Sequence, residues 1–273
     1  MAVASVLAQT LEDWELLVVV DDDEGGLEWL DALADDRIRI LSAPAPGGRG
    51  AARQAGLEAA RGDFLAFLDA DDWMLPDRLA RQAGMLEADS ELVLVSGGMF
   101  VVDRNEALFG SRRMSAGAGA VKTAKHHLFQ SPVLSASSMA RTGRARKIGY
   151  RPEFAAGEDS DFLVRYLRGQ RYLQDESSVY VYREFRSFSA VKLRNGLAAN
   201  RDRYVRQLRG LRRVRALAVW AVKRLVYEPL LLWPGPDWIV GRRSRPADDA
   251  ERARFERGHD DVSAALDEMQ ERS

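Results

Sequence analysis

The sequence predicts an α/β fold built on a parallel sheet. Two observations carry that expectation. Valine- and leucine-rich runs alternate with segments of helical spacing through the first part of the chain. Two of those runs, 15–20 (ELLVVV) and 64–68 (FLAFL), stop abruptly in acids. Ligands of open α/β sheets lie beyond the carboxyl ends of the strands.

The elements follow in order. Residues 2–9 (AVASVLAQ) read as a helix that begins without a cap. The continuous apolar run 15–20 is a buried strand, followed by Asp21, Asp22 and Asp23. Residues 27–34 have helical spacing, 38–41 form a short strand, and 44–50 (PAPGGRG) are a loop. A helix over 51–60 is expected to close at Gly62. The strand 64–68 comes next, then a helix begun by Pro76 and running to Glu87, then a strand over 92–95.

Beyond Gly110 the pattern loosens. Residues 111–120 are rich in Ser, Gly and Ala and read as a mobile loop. Residues 157–167 (GEDSDFLVRYL) open a helix with acids in its first turn, which suits the helix dipole. A short strand is expected over 179–182 and a basic amphipathic helix over 200–226. The division expected is a main domain over 1–195, a basic helical extension over 196–245, and a charged tail over 246–273 that is helix-prone or disordered.

Composition narrows the classes. The chain has 273 residues and no cysteine, which excludes disulfides and thiolate metal sites and suits a reducing compartment. No apolar run is long enough to span a membrane, and no basic-then-apolar leader opens the chain. Charge is divided unevenly. Residues 1–110 carry 8 Lys/Arg against 22 Asp/Glu, whereas 111–245 carry 28 against 10. That asymmetry points to cation binding in the first half and to anion or membrane contact in the second, with uneven surface charge as the plainer reading.

Three short motifs carry chemistry. In FLDADDWMLP, Asp69 and Asp71 are two residues apart at a strand end and so share a face. Such a pair can bridge Mg²⁺ or Mn²⁺ to a diphosphate, or serve as a solvated turn, with Asp72 as a cap for the helix after Pro76. In GGRGAARQAG, glycines precede a helix from which Arg53 projects, either toward a phosphate or into solvent. In GED, Asp159 opens a helix as a cap or a general base. His126 and His127 fall in no metal spacing. A D-x-D phosphatase is the other enzyme class considered, but haloacid-dehalogenase-like enzymes place a small β-branched residue where Trp73 stands.

Taken in order, SVLAQT, the acidic strand end, G-x-A-R-Q-x-G, FLDADD-x-x-x-P, GED-x-D and YR resemble a family 2 glycosyltransferase of the GT-A fold over about residues 3–190. The resemblance implies a nucleotide-diphospho-sugar transferase architecture: a Rossmann-like, mixed but mainly parallel sheet flanked by helices, here with a C-terminal helical extension. It assigns Asp21 or Asp22 to the nucleotide base, Arg53 to the donor phosphate, and Asp69 and Asp71 to the ribose and the metal-bound diphosphate. Asp159 becomes the base on the acceptor hydroxyl, with Glu158 and Asp161 supporting it, and Arg183 matches the YR position.

The implied reaction is an inverting displacement on a nucleotide-sugar donor, with a divalent metal cofactor (Mg²⁺ or Mn²⁺) and a glycan or lipid-linked envelope acceptor. No nucleic-acid partner is expected. The expected location is cytoplasmic, or peripheral on the inner face of the membrane through 200–245, whose tryptophans at 220, 233 and 238 sit among arginines. The alternative for that helix is packing on the main domain, and the alternative for the protein is an impaired remnant that binds partners.

Departures from the family pattern are specific. Members begin with an apolar strand ending P-x-Y-N, and here Met1 falls within the helix that follows it. The chain is therefore expected to lack that strand and to be weakly active or inactive without it. Phe185 stands near the place of a family histidine, with Arg186 as a substitute phosphate contact. DDDE replaces the usual D-D-G-S turn.

Overall fold

The computed structural model describes residues 1–21, 27–44, 47–112, 119–126, 131–151, 157–187, 191, 194–195, 198, 201, 209–232 and 236–272. The architecture is α/β, with sheets flanked by helices. The chain opens with α1 (Ala2–Leu7), β1 (Leu16–Val20), α2 (Glu28–Ala32), β2 (Ile38–Ser42), α3 (Arg49–Ala59) and β3 (Phe64–Ala66). It continues with β4 (Trp73–Met74), α4 (Arg78–Ala88), β5 (Leu92–Val102), β6 (Leu108–Arg112), β7 (Val121–Thr123) and β8 (Ser138–Arg141). Next come α5 (Thr142–Ile148), α6 (Glu158–Leu167), β9 (Arg171–Tyr182) and α7 (Glu184–Ser187). The helices α8 (Gly210–Leu232), α9 (Pro236–Arg242) and α10 (Asp249–Arg272) complete it.

Strands β1 and β2 pair in parallel as a two-stranded sheet, with Val18 opposite Ile40. The larger sheet has the order β3-β8-β5-β9-β4, with β6 beside β5 and β7 beside β9. Within it β5 and β9 run parallel and the other pairs are antiparallel, so the sheet is mixed, as expected, but not mainly parallel. The antiparallel partners β6, β7 and β8 come from the stretch where the sequence pattern loosens. All eleven residues of β5 are buried, so its pattern is continuous rather than alternating.

Helices cover both faces of the larger sheet. Leu57 of α3, Ala145 of α5, and Phe162 and Tyr166 of α6 form one core cluster with Leu94 of β5. Val6 of α1 and Leu79 and Leu86 of α4 form another with Val95, Met139 and Tyr180. The charged tail is helical and packed: Phe255 and Val262 of α10 lie against Trp73, Leu75 and Phe100. Gly258 permits this approach, since a Cβ there would meet Leu75 Cδ2 at 2.5 Å. Arg254 Nη2 then donates to both Asp77 oxygens at 2.8 Å.

Several local expectations change. α3 ends at Ala59, and its C-cap Ala60, with ψ of 138°, leaves the helix two residues before Gly62. Asp72 does not cap α4; it is fully buried and bonded elsewhere, and Asp77 holds the N-cap position without a side-chain cap bond. β5 and β9 extend well past the expected 92–95 and 179–182, because each has neighbours on both sides. Ser111 and Arg112 belong to β6, and Ser111 is buried under α10, whose Glu251 Oε2 accepts its hydroxyl at 3.2 Å. Residues 113–118 of the expected loop lie outside the described residues, as do 200 and 202–208 of the expected basic helix, His127 and Trp233.

The two sheets present facing edges. β1 pairs only with β2, and β3 only with β8, among the described residues. Between them lies a cavity of about 1630 Å³, lined by Leu16–Val19 on one side and Phe64–Ala66 on the other. Glu15 fastens the two strand starts. Its Oε1 accepts from the Arg61 and Gly62 N–H groups, the latter at 3.1 Å, and its Oε2 accepts from Arg39 at 3.0 Å.

Candidate functional site

Asp21 follows its strand directly, but β3 ends at Ala66, and Asp69 and Asp71 lie in a turn beyond it closed by the Asp72 N–H on the Asp69 carbonyl at 3.0 Å, so the expected strand-end pairing of their faces does not hold. Asp21, directly after β1, accepts the Gly48 N–H on Oδ1 at 2.6 Å. Gly48 has φ of 95°, a conformation that favours glycine, and it starts α3. The acidic turn and the glycine loop are thereby joined, and α3 is aimed across the strand ends. Asp22 lies outside the described residues.

Arg53, in the second turn of α3, meets two acids. Its Nη2 donates to Asp69 Oδ1 at 3.1 Å, and its Nη1 stands 3.6 Å from Glu158 Oε1. Arg49 Nε lies 3.9 Å from the same Glu158 oxygen. Burial works against the Arg53 charge, but Tyr150, Asp69, Asp159 and Glu158 outweigh it and raise its pKa. The motifs around 53, 69 and 158 are thus one cluster. Asp21, Arg53, Asp69 and Asp71 all line the same cavity.

The turn 69–72 is braced from β9. Tyr180 OH accepts the Asp69 N–H at 3.1 Å and donates to Asp72 Oδ2 at 2.8 Å. Asp72 Oδ1 accepts the Arg183 N–H at 2.9 Å. Burial pushes the Asp72 carboxyl up to about 7, although the Arg183 and Tyr180 bonds pull the other way. Arg183 reaches the Asp71 carbonyl at 3.3 Å with Nη1 and Glu106 at 2.7 Å with Nε. It therefore shapes the turn from behind, while Tyr182 lines the cavity.

The acids of α6 divide by environment. Asp161 is buried and paired with Arg165 at 2.8 Å one turn on, so it holds the helix. Glu158 is buried against Arg53. Asp159 is only half-buried, and its Oδ1 accepts the Ser160 N–H at 2.6 Å. Arg53 Nη1, the Tyr150 hydroxyl and Glu158 Oε2 are buried without a hydrogen-bond partner among the described residues. Tyr150 is held by stacking on Phe162, centroids 4.4 Å apart, and burial drives its pKa upward.

Metal chemistry rests on few ligands. Among the described residues no three acidic or histidine side chains gather to hold an ion. Asp69 and Asp71 nevertheless offer hard oxygens on the cavity wall, and Asp71 is exposed. That set suits an ion that completes its shell with diphosphate oxygens and water. Phe185 is no ligand. It is buried with Val101 and Val240 and meets Phe109 edge-on, centroids 4.9 Å apart.

Sequence reasoning did not single out Tyr180, Tyr150 or Arg78. Arg78 is fully buried and donates to the carbonyls of Phe67 at 2.9 Å, Ala136 at 2.9 Å and Ser138 at 3.1 Å. It ties the end of β3 to the segment before β8. Burial lowers its pKa to about 10. An arginine opening a helix, against the dipole, is the sequence signal that it is used elsewhere.

Known proteins share the sequence pattern and the fold. The sequence model described as Glycosyl transferase family 2 matches residues 1–139. An uncharacterized glycosyltransferase of Methanocaldococcus jannaschii is 26% identical over 60% of this chain and 58% of its own. The succinoglycan biosynthesis protein ExoW of Rhizobium meliloti is 41% identical over 36% of this chain and 33% of its own. The glucosyltransferase WfgD of Escherichia coli, named for UDP-Glc and a GlcNAc-diphosphoundecaprenol, is 32% identical over 38% and 41%. The chain thus spans a third to three-fifths of the length of these relatives. The crystal structure of S. aureus TarS 1-349 shares the fold, with a TM-score of 0.57 at 15% identity over 97% of this chain and 75% of that one. With more than half of its residues matched, the chain belongs to glycosyl transferase family 2.

Proposed function

We propose that the protein transfers a sugar, with inversion, from a nucleotide-diphosphate donor to a hydroxyl of a glycan or lipid-linked envelope acceptor. One observation carries this reading: Arg53 joins Asp69 to Glu158 beside Asp159, at a cavity that Asp21 and Asp71 also line. ExoW and WfgD support the acceptor class through their names.

Asp21, at the end of β1, lies where the nucleotide base would be read. Arg53 carries the positive charge that meets the diphosphate. Asp69 and Asp71 would hold a Mg²⁺ or Mn²⁺ ion, which supplies charge neutralisation to the leaving diphosphate. Asp159 takes the proton as the acceptor oxygen attacks the anomeric carbon. The bond to the diphosphate oxygen breaks on the opposite face, and the nucleoside diphosphate departs. Glu158 and Asp161 keep Arg53 and α6 in place. Arg183 and Tyr180 hold the turn that presents Asp71.

Donor hydrolysis with Mn²⁺ tests the reading, using candidate nucleotide sugars and the Asp71→Ala variant. Turnover by the parent chain that collapses in Asp71→Ala is expected. Equal rates in both, with any donor, would refute metal-assisted transfer. A second reading, an impaired remnant acting by binding, is favoured by the unpaired edges of β1 and β3. Donor binding without turnover at any metal concentration would select it.

A further inference from the structure

Helix α8 has two unlike faces. Lys223 and Tyr227 line the same cavity as Arg53, Asp69 and Asp71. On the other side Leu211, Val214, Ala218, Val222 and Leu225 recur at spacings of three and four residues, which builds one apolar stripe. All five are exposed, Leu211 at 87% and Leu225 at 76%. Residues 209–226 also carry six Lys/Arg and no Asp/Glu. Helix α9 packs beside α8, and its exposed Trp238 lies under Arg242, 5.4 Å from the ring centroid.

We infer that the outer face of α8, with Trp238 beside it, docks on an anionic lipid surface. A stripe of leucine and valine this exposed is costly in water. Two occupants could cover it, a bilayer or a second copy of the chain. The charge decides between them. Two copies would bring Arg213 and Arg215 against their own kind, and the one acid of α8, Glu228, is already paired with Arg194 at 2.6 Å and with Arg224 at 3.7 Å, whereas anionic headgroups attract each cation. Among the described residues no helix is long and apolar enough to cross a membrane, so the helix lies in the interface plane, its stripe in the acyl boundary and its arginines among headgroups.

The two faces of α8 give the docking a consequence. A helix with its side chains is about 10 Å across, so the cavity wall would stand one helix diameter from the headgroups. A diphosphate-linked acceptor anchored in the bilayer could then reach the cavity without leaving the lipid. This acceptor step rests on the proposed transferase reading, while the docking itself does not.

Vesicle flotation of the full chain tests the docking, with phosphatidylcholine vesicles with and without phosphatidylglycerol. Flotation with the anionic vesicles is expected, weakening as salt is raised. The double variant Leu211→Glu, Leu225→Glu should lose roughly tenfold or more of that binding. Both side chains are exposed, so its circular dichroism and donor hydrolysis in vesicle-free buffer should match the parent. Flotation indifferent to lipid charge, or unchanged in the variant, would overturn the inference. So would a dimer in light scattering that the same substitutions dissociate. Failed donor hydrolysis in every variant, with flotation intact, would strike the transferase reading alone.

Discussion

Arg53 Nη2 donates to Asp69 at 3.1 Å while Nη1 faces Glu158 at 3.6 Å, so one guanidinium links the turn after β3 to the start of α6. Those segments are about ninety residues apart in sequence, and both carry acids proposed for the reaction. The planar fork does what a point charge cannot, since it holds two acids in fixed directions and leaves a donor turned inward.

Arg53→Lys should therefore fail although it keeps the charge. Losing one arm of a charge-assisted pair costs about 1.5–3 kcal/mol, or roughly ten- to hundredfold in kcat/KM if the contact forms in the transition state. Steady-state donor turnover checks this, with a thermal melt to exclude misfolding. A lysine variant at parental kcat/KM would show that only the charge matters.

Tyr180→Phe removes a hydroxyl that serves two partners. The Asp69 N–H and Asp72 Oδ2 would both lose a hydrogen bond, and Asp72 is fully buried. Leaving such groups unsatisfied costs about 1–3 kcal/mol. The expected result is a lower melting temperature together with a weaker Mn²⁺ dependence, read as a higher metal concentration at half-maximal rate. A stability loss with unchanged metal response would limit Tyr180 to a structural role.

Much of this was legible because it is local. Asp69 and Asp71 sit at the end of an apolar run, and Asp159 opens a helix, so a window of a few residues reveals each. Tyr180 was not legible. Its partnership with Asp72 depends on the β4–β9 register that sets Trp73 opposite Val181, across more than a hundred residues. Asp72 was misread for the same reason: a carboxylate before Pro76 reads as a cap until β9 arrives and buries it. The charged tail hid its apolar stripe, because Phe255, Val262 and Met269 are spaced two turns apart among acids and arginines.

Glu15→Gln should destabilise the chain in a pH-dependent way. Burial raises the Glu15 pKa, but the Arg61 and Gly62 N–H groups and Arg39 more than reverse this, leaving it below the ordinary 4.5. A depressed carboxylate contributes stability above its unfolded pKa and loses it as pH falls through the folded one. The variant should thus melt lower than the parent at neutral pH, and the gap should close in acid. Melting curves between neutral pH and the acid limit check this. A gap independent of pH would mean that shape, not charge, holds Glu15 in place.

The unpaired edges of β1 and β3 make the last prediction. Each presents backbone groups toward the cavity that no described strand satisfies, and both edges are rich in apolar side chains. Edges of this kind accept an added strand. Amide exchange should be fast at alternate positions of Leu16–Val20, where N–H groups point away from β2, and slow along β5, which is paired on both sides. With an extended apolar peptide seated as an added strand, the chain would have this gap filled. Its β1 amides should then exchange at least about tenfold more slowly, one tenfold step being about 1.4 kcal/mol of added local stability. It should also melt higher. Because the same cavity is lined by Arg53, Asp69 and Asp71, donor affinity should rise with protection. Slow exchange at every β1 amide of the chain as it stands would show that the edge is already covered.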